Sequence, residues 1–105
     1  MDERREVVEI DLSAATTSRE LHRLLARSLD FPDFYGHNWA AFWDAITGLV
    51  GMPRRLRLVG WAGMAARLPD EARHLRECLS DAAAQYPQWS AEVEYAATAT
   101  SSVDG

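Results

Sequence analysis

The sequence predicts an α/β fold of two layers, in which a three-stranded parallel sheet carries its helices on one face. Three short segments alternate apolar and polar residues, as half-buried strands do, and helical segments separate them along the chain. Helical crossovers of this kind join parallel strands. Parallel strands covered on both faces would instead be continuously apolar, so the alternation favours helices on one face only.

Composition is typical of one folded domain. The chain has 105 residues, of which 48% are hydrophobic and 26% charged, and we expect a single domain over 1–105 with frayed ends at 1–5 and 98–105. No apolar run approaches the ~20 residues of a membrane span, and no signal segment is visible. The single cysteine, Cys78, excludes an internal disulfide and fits a reducing compartment. We therefore expect a cytoplasmic protein that is monomeric when free and does not bind membranes.

The first strand and the first helix have clear signals. Alternation over 7–12 predicts strand 1. Thr17, with Glu20 three residues later, has the spacing of a capping box and predicts a helix over 18–29. Its apolar stripe is expected to be buried and consists of Leu21, Leu24, Leu25 and Leu29.

The remaining elements follow from caps, breakers and periodicity. After a loop over 33–37, Asn38 is a natural N-cap for a second helix that runs to about Thr47. Further along, the pattern predicts a strand over 54–59, a helical turn over 61–67, a long helix over 69–85 and a strand over 91–96. The long helix has an apolar stripe formed by Ala72, Leu75, Leu79, Ala82 and Tyr86.

Charges on the outer face of the strands predict their order. Acidic residues lie on the first and third strands and arginines on the second: Glu9, Asp11, Glu92 and Glu94 against Arg55 and Arg57. Opposite charges on neighbouring strands stabilise a sheet by about 0.2–1 kcal/mol per pair, and like charges destabilise it. The arginine strand is therefore expected in the middle, in the order 1-2-3.

The second helix has an apolar arc and an unusual opposite side. At about 100° per residue, the arc expected to face the core contains Trp39, Phe42, Trp43, Ile46, Leu49 and Val50. The far side offers small residues and one charge: Ala40, Ala41, Ala45 and Asp44. Residues 28–53 contain three aspartates and no arginine. This composition favours a protein partner, although a buried Trp43 and an ordinary surface Asp44 fit the same pattern.

Residues 31–48 carry a family pattern. They read FPDFYGHNWAAFWDAITG, with a proline, an aromatic pair, Gly-x-Asn, and then a helix with Trp-Asp-Ala followed by Thr-Gly. This segment resembles the signature of the barstar family, and the order of strands and helices agrees with that family. The resemblance implies an intracellular inhibitor that blocks a secreted, guanyl-preferring microbial ribonuclease in a 1:1 complex. It would do so with the second helix and the loop before it.

The resemblance also implies which residues contact the enzyme. Asp44 stands where the principal acid of the family occupies the enzyme's phosphate site and pairs with its catalytic Arg and His. A second acid on the long helix aligns best with Asp81. The implied contact residues are Phe34, Gly36, Asn38, Trp43, Asp44, Thr47, Gly48 and Asp81.

Two positions depart from the family pattern. Ala40 stands where the best-known member has another acid, and Phe34 replaces a tyrosine, which keeps the ring and loses the hydroxyl. Both differences concern the identity of the partner and not the fold. They leave open an alternative, in which a barstar-like module neutralises a toxin other than a ribonuclease or regulates an endogenous protein.

The long helix carries two acidic residues that would suit an acidic partner-binding surface. Glu77 and Asp81 lie four residues apart and repel each other by a few tenths of a kcal/mol, which an acidic interface would explain. A solvated acidic face with Arg73 and Arg76 nearby is the alternative.

Other functions have less support. A net charge of −5 disfavours nucleic-acid binding. His74 and Cys78 lie one helical turn apart, but two ligands do not make a structural zinc site, and burial explains Cys78 better. The sequence contains no recognisable catalytic triad context, Gly-rich phosphate loop or pair of catalytic carboxylates. We therefore expect neither enzymatic activity nor a metal or other cofactor.

Overall fold

The structure, a computed structural model, describes residues 5–97. Its strands and helices are β1 (Val7–Asp11), α1 (Ser18–Ser28), α2 (Trp39–Asp44), β2 (Arg55–Val59), α3 (Trp61–Arg67), α4 (Pro69–Gln85) and β3 (Glu92–Ala96). A 3₁₀ turn (Leu12–Ala14) follows β1, and a π-helical turn (Ala45–Leu49) continues α2. The expected fraying of 1–4 and 98–105 concerns residues outside this range. Arg5 lies within it, and its carbonyl accepts a hydrogen bond from the Arg54 amide at 2.9 Å.

The sheet is parallel with the order β1-β2-β3, which confirms the predicted topology. In this register Arg57 lies between Glu9 and Glu94. Its guanidinium nitrogens lie 3.4 Å from the Glu9 carboxylate and 2.5 Å from the Glu94 carboxylate. The alternating charges therefore do mark neighbouring strands, and they leave the face opposite the helices polar.

The core lies between the other face of the sheet and the helices. Its largest fully buried apolar side chains are Ile10, Leu12, Leu21, Leu25, Leu29, Phe42, Leu56, Leu58, Met64 and Leu75. The predicted stripes of α1 and α4 are buried, with Leu24 only half-buried. Tyr86 is the exception, because it is 42% exposed. It follows the last residue of α4 with non-helical backbone angles, so helical periodicity does not direct its ring to the stripe.

The start of α1 is capped as the sequence predicts, with one difference. The Thr17 hydroxyl accepts a hydrogen bond from the Glu20 amide at 3.1 Å. The Glu20 carboxylate accepts from the amide and hydroxyl of Thr16, at 2.8 and 2.6 Å, and not from the Thr17 amide as a reciprocal capping box would require. These bonds, above all the one from the Thr16 hydroxyl, lower the pKa of Glu20.

The winding of α2 changes at Ala45, and two expectations fail there. The Val50 amide donates to the Ala45 carbonyl at 3.1 Å, an i→i+5 bond. A π turn rotates less per residue than an α-helix, so side chains beyond this point leave their positions on the wheel. Leu49, expected in the core, is 53% exposed. Ala45, expected on the far side, is fully buried, because it lies only about 60° around the helix from Phe42, and both residues belong to the core.

Among the residues that the structure describes, no helix combines the length and apolar character that a membrane crossing requires.

Candidate partner-binding site

The loop between α1 and α2 is anchored in the core by a histidine and a tyrosine. His22 on α1 is 1% exposed, and its Nδ1 lies 2.6 Å from the hydroxyl of buried Tyr35. That hydroxyl also donates to the Asn38 carbonyl at 3.5 Å, and the Phe31 ring packs edge-on against Tyr35 with centroids 4.9 Å apart. Burial lowers the pKa of His22 and raises the pKa of Tyr35. These contacts fix the path of the loop from the inside.

The outer residues of the same loop face solvent. The Phe34 ring is 77% exposed, an unusual position for an apolar ring of this size. Asn38 caps α2 as predicted, since its Oδ1 accepts from the Ala41 amide at 2.7 Å. Its Nδ2 donates to the Gly36 carbonyl at 3.2 Å, and a Cβ at Gly36 would come within 3.1 Å of that nitrogen. The loop and the first turn of α2 are therefore held as one unit.

Trp39 braces the start of α2 from two sides. Its Nε1 donates to the Glu71 carboxylate on α4 at 2.8 Å. Its ring stacks on His74 with centroids 6.1 Å apart and lies 4.3 Å from the His22 ring. The half-buried Trp39 thus ties α2 to both α1 and α4, which limits how far the helix can move.

Trp43 and Asp44 lie on the outer part of α2. Trp43 is half-buried, and its ring centroid is 6.4 Å from that of Tyr86. Asp44 is exposed, and no residue in the described range 5–97 forms a hydrogen bond or ion pair with its side chain. The Thr47 hydroxyl donates to the Trp43 carbonyl at 2.6 Å, and Gly48 has open space where a side chain would lie. A carboxylate without a partner is thus presented on a braced helix.

Asp81 is exposed on α4, on the stripe that faces α2. At helical spacing before it lie His74, which stacks on Trp39, and the half-buried Cys78, which packs against the core. Residues i, i+4 and i+7 share one helix face, so Asp81 continues this stripe. The structure therefore brings the implied contact residues to neighbouring elements, with seven on the loop, α2 and its π turn and one on α4.

No described residues form a group of three or more His, Cys, Asp or Glu placed to hold a metal ion. The thiol of Cys78 is half-buried. Burial, with Asp81 and Glu77 nearby, raises its pKa to about 11, so the thiol stays protonated at neutral pH.

Comparison with known proteins identifies the family. The family described as Barstar (barnase inhibitor) matches residues 5–98. The chain belongs to the barstar family. The Bacillus subtilis (strain 168) protein named "Putative ribonuclease inhibitor YrdF" is 53% identical over 38 residues, which are 36% of this chain and 42% of that protein. The chain thus matches less than half the length of that relative. Membership of the barstar family supports ribonuclease inhibition in general.

Around this site, sequence reasoning overlooked three residues (His22, Tyr35 and Trp89) and placed a fourth, Tyr86, wrongly. The buried pair His22 and Tyr35 carries no periodic signal of its own, because its two members are joined only by the fold. Tyr86 was expected in the core. Trp89, 66% exposed, follows α4 in a turn. The exposure of Trp89 could have been predicted, because a tryptophan between Gln88 and Ser90 belongs to no apolar stripe.

Proposed function

We propose that this barstar-family protein inhibits a secreted, guanyl-preferring microbial ribonuclease and has no catalytic activity of its own. It acts in the cytoplasm, in a 1:1 complex in which α2 and the loop before it block the active site. The observation that carries this proposal is Asp44, exposed and without a partner among the described residues.

Asp44 is suited to imitate an RNA phosphate. A ribonuclease of this class holds the phosphate with clustered cationic groups, so a carboxylate in the same place makes short charge-assisted hydrogen bonds. The cap at Asn38 and the Trp39–Glu71 bond hold the helix before the enzyme arrives. Less conformational freedom is then lost on binding, which favours affinity.

The shape of the loop fits the same role. Phe34 projects from it, and Gly36 keeps the backbone open to close approach because it has no side chain. Aromatic rings at the edge of a charged contact exclude water from it, which strengthens the buried ion pairs. Phe34 is proposed to pack on the enzyme beside the active site.

Charge favours rapid encounter with such an enzyme. Residues 28–53 carry three aspartates and no arginine, and the whole chain has a net charge of −5. A basic partner is drawn toward this surface, which raises the association rate more than it lowers the dissociation rate. Asp81, on the neighbouring helix, adds to the same field.

Ala40 favours a second candidate function. It is exposed on α2, where an acid would make a further charged contact with a ribonuclease. A small residue there suits a partner with fewer cations, such as a different toxin or an endogenous protein. Capture on the immobilised protein from a culture supernatant of the source organism separates the two candidates. A retained ribonuclease supports the first, and a retained protein of another kind supports the second.

Titration into assays of several microbial ribonucleases of this class tests the main proposal. We expect at least one enzyme to lose activity linearly and to reach zero at one equivalent of inhibitor. The same protein unfolded by heat serves as the control. Full activity of every enzyme at micromolar inhibitor would contradict the proposal.

A further inference from the structure

An aromatic patch, formed by the exposed Tyr86 and Trp89 and the half-buried Trp43, adjoins the candidate site. The Trp43 and Tyr86 rings lie with centroids 6.4 Å apart and join α2 to the end of α4. The Tyr86 carbonyl accepts hydrogen bonds from the amides of Trp89 and Ser90, at 2.9 and 3.0 Å, which closes the turn that presents Trp89. Burying Tyr86 and Trp89 would stabilise the fold, so the exposure of these two rings calls for another explanation.

The patch lies in an acidic part of the chain. After Arg76 the sequence contains no arginine or lysine, while Glu77 and Asp81 are exposed on α4. The guanidinium of Arg76 is engaged elsewhere, over the rings of Trp61 and Tyr95 at 5.4 and 4.5 Å. Carboxylates therefore outnumber cations around the aromatic patch: Asp44 follows Trp43 on α2, and Glu77 and Asp81 precede Tyr86 on α4. The cation beside the turn is Arg54, which lines a hollow with Pro87, Gln88 and Ser90.

We infer that the aromatic patch extends the ribonuclease-binding surface beyond α2, and that it receives a basic segment of the enzyme. Guanidinium and ammonium groups stack on Trp and Tyr faces while neighbouring carboxylates pair with them. Trp and Tyr are also the residues that most often dominate binding energy at protein interfaces. Trp89 is then a specificity-determining residue, because it contacts the enzyme outside the phosphate site. This inference rests on the proposed function.

Substitutions at Trp89 test the inference against a ribonuclease that the parent protein inhibits. Trp89→Ala should raise the inhibition constant about tenfold. Trp89→Arg should raise it further, because it places a cation against a basic surface, while Trp89→Glu should raise it less than Trp89→Arg. Val7→Ala, which truncates a half-exposed apolar residue on β1, is the matched control and should inhibit like the parent. Thermal melts of all four variants show whether each is folded.

The outcomes separate this inference from the proposed function. If Asp44→Ala lost inhibition while Trp89→Ala and Trp89→Arg inhibited like the parent, the patch would lie outside the interface and the inference would be wrong. Equal losses for Trp89→Arg and Trp89→Glu would contradict a basic partner segment. If Trp89→Ala inhibited normally but turned a dimer into a monomer in sedimentation, the patch would bind a second copy instead. If the parent inhibited no ribonuclease, both the proposed function and this inference would fall.

Discussion

The imidazole of His22 and the phenol of Tyr35 meet inside the protein, with Nδ1 2.6 Å from the hydroxyl. This bond joins α1 to the loop that ends at the cap of α2. Burial lowers the pKa of His22, the Glu71 carboxylate acts in the opposite direction, and His37 adds to the lowering. His22 is therefore neutral in the folded protein at neutral pH, and the loop depends on a group that titrates in the unfolded chain.

Stability should fall as the pH falls below 6.5, the pKa of His22 in the unfolded chain. Between this value and the lowered pKa of His22 in the folded protein, the unfolded chain binds a proton that the folded protein does not bind. Acid therefore favours unfolding over this pH range. Asp11 and Glu20 have lowered pKa values too, but their effects begin lower, near 3.8 and 4.5. Urea unfolding at pH 7.0, 6.0 and 5.0 measures the slope of the free energy of unfolding against pH.

His22→Gln is the control for this pH dependence, since glutamine does not titrate. The variant is expected to be less stable than the parent at pH 7 and to lose most of the slope between pH 6.5 and 5. The slope is compared and not the absolute stability, so packing losses do not affect the conclusion. An unchanged slope in His22→Gln would assign the pH dependence to other groups.

The strand order was predictable because it depends on local charges. Arg57 pairs with a carboxylate on each side, and only the central position of β2 allows this. The assignment of α2 side chains to buried and exposed sides was wrong beyond Ala45, because no residue pattern predicts the i→i+5 bond at Val50. The buried His22–Tyr35 bond that anchors the loop could not be predicted either, because it joins residues that only tertiary packing brings together.

Two helix caps provide a matched pair of variants. Asn38→Ala and Thr17→Ala each remove a side chain that accepts a hydrogen bond from a helix amide, at 2.7 and 3.1 Å. Each should reduce the free energy of unfolding by about 0.5–2 kcal/mol. Asn38→Ala should also weaken ribonuclease inhibition, because it frees the loop at Gly36, whereas Thr17→Ala should not.

Urea unfolding and inhibition constants of the two cap variants decide between a structural and a binding role for Asn38. If both variants lost stability equally and inhibited equally well, Asn38 would serve the fold alone, and its place among the contact residues would be wrong.

Salt should slow the formation of the complex. The acidic residues around Asp44 and Asp81 act over distance, and a Debye length of about 8–10 Å at physiological ionic strength screens them. The association rate is expected to fall as sodium chloride rises from 50 to 500 mM, with a smaller change in the dissociation rate. Stopped-flow measurement of both rates is the test, and an association rate independent of salt would contradict electrostatic steering.

Asp81→Ala should affect inhibition less than a change at Asp44. It lies on a different helix, and its carboxylate is expected at the edge of the contact, where solvent screens it. Glu92→Ala removes an exposed acid from the opposite face of the sheet and controls for the change in net charge. Trp43→Ala is less informative, because its half-buried ring contributes to both packing and surface.

The inhibition constant of Asp44→Ala, measured beside its thermal melt, tests the central claim most directly. The side chain is exposed and has no partner in the described range, so the melting temperature should stay close to that of the parent. In the complex its loss would leave cationic groups of the enzyme unpaired. Removing one partner of such a buried charge pair costs about 2–5 kcal/mol, a range to which barstar-family complexes themselves contribute. We predict an inhibition constant at least roughly thirtyfold higher. A folded Asp44→Ala that inhibits as well as the parent would contradict the account.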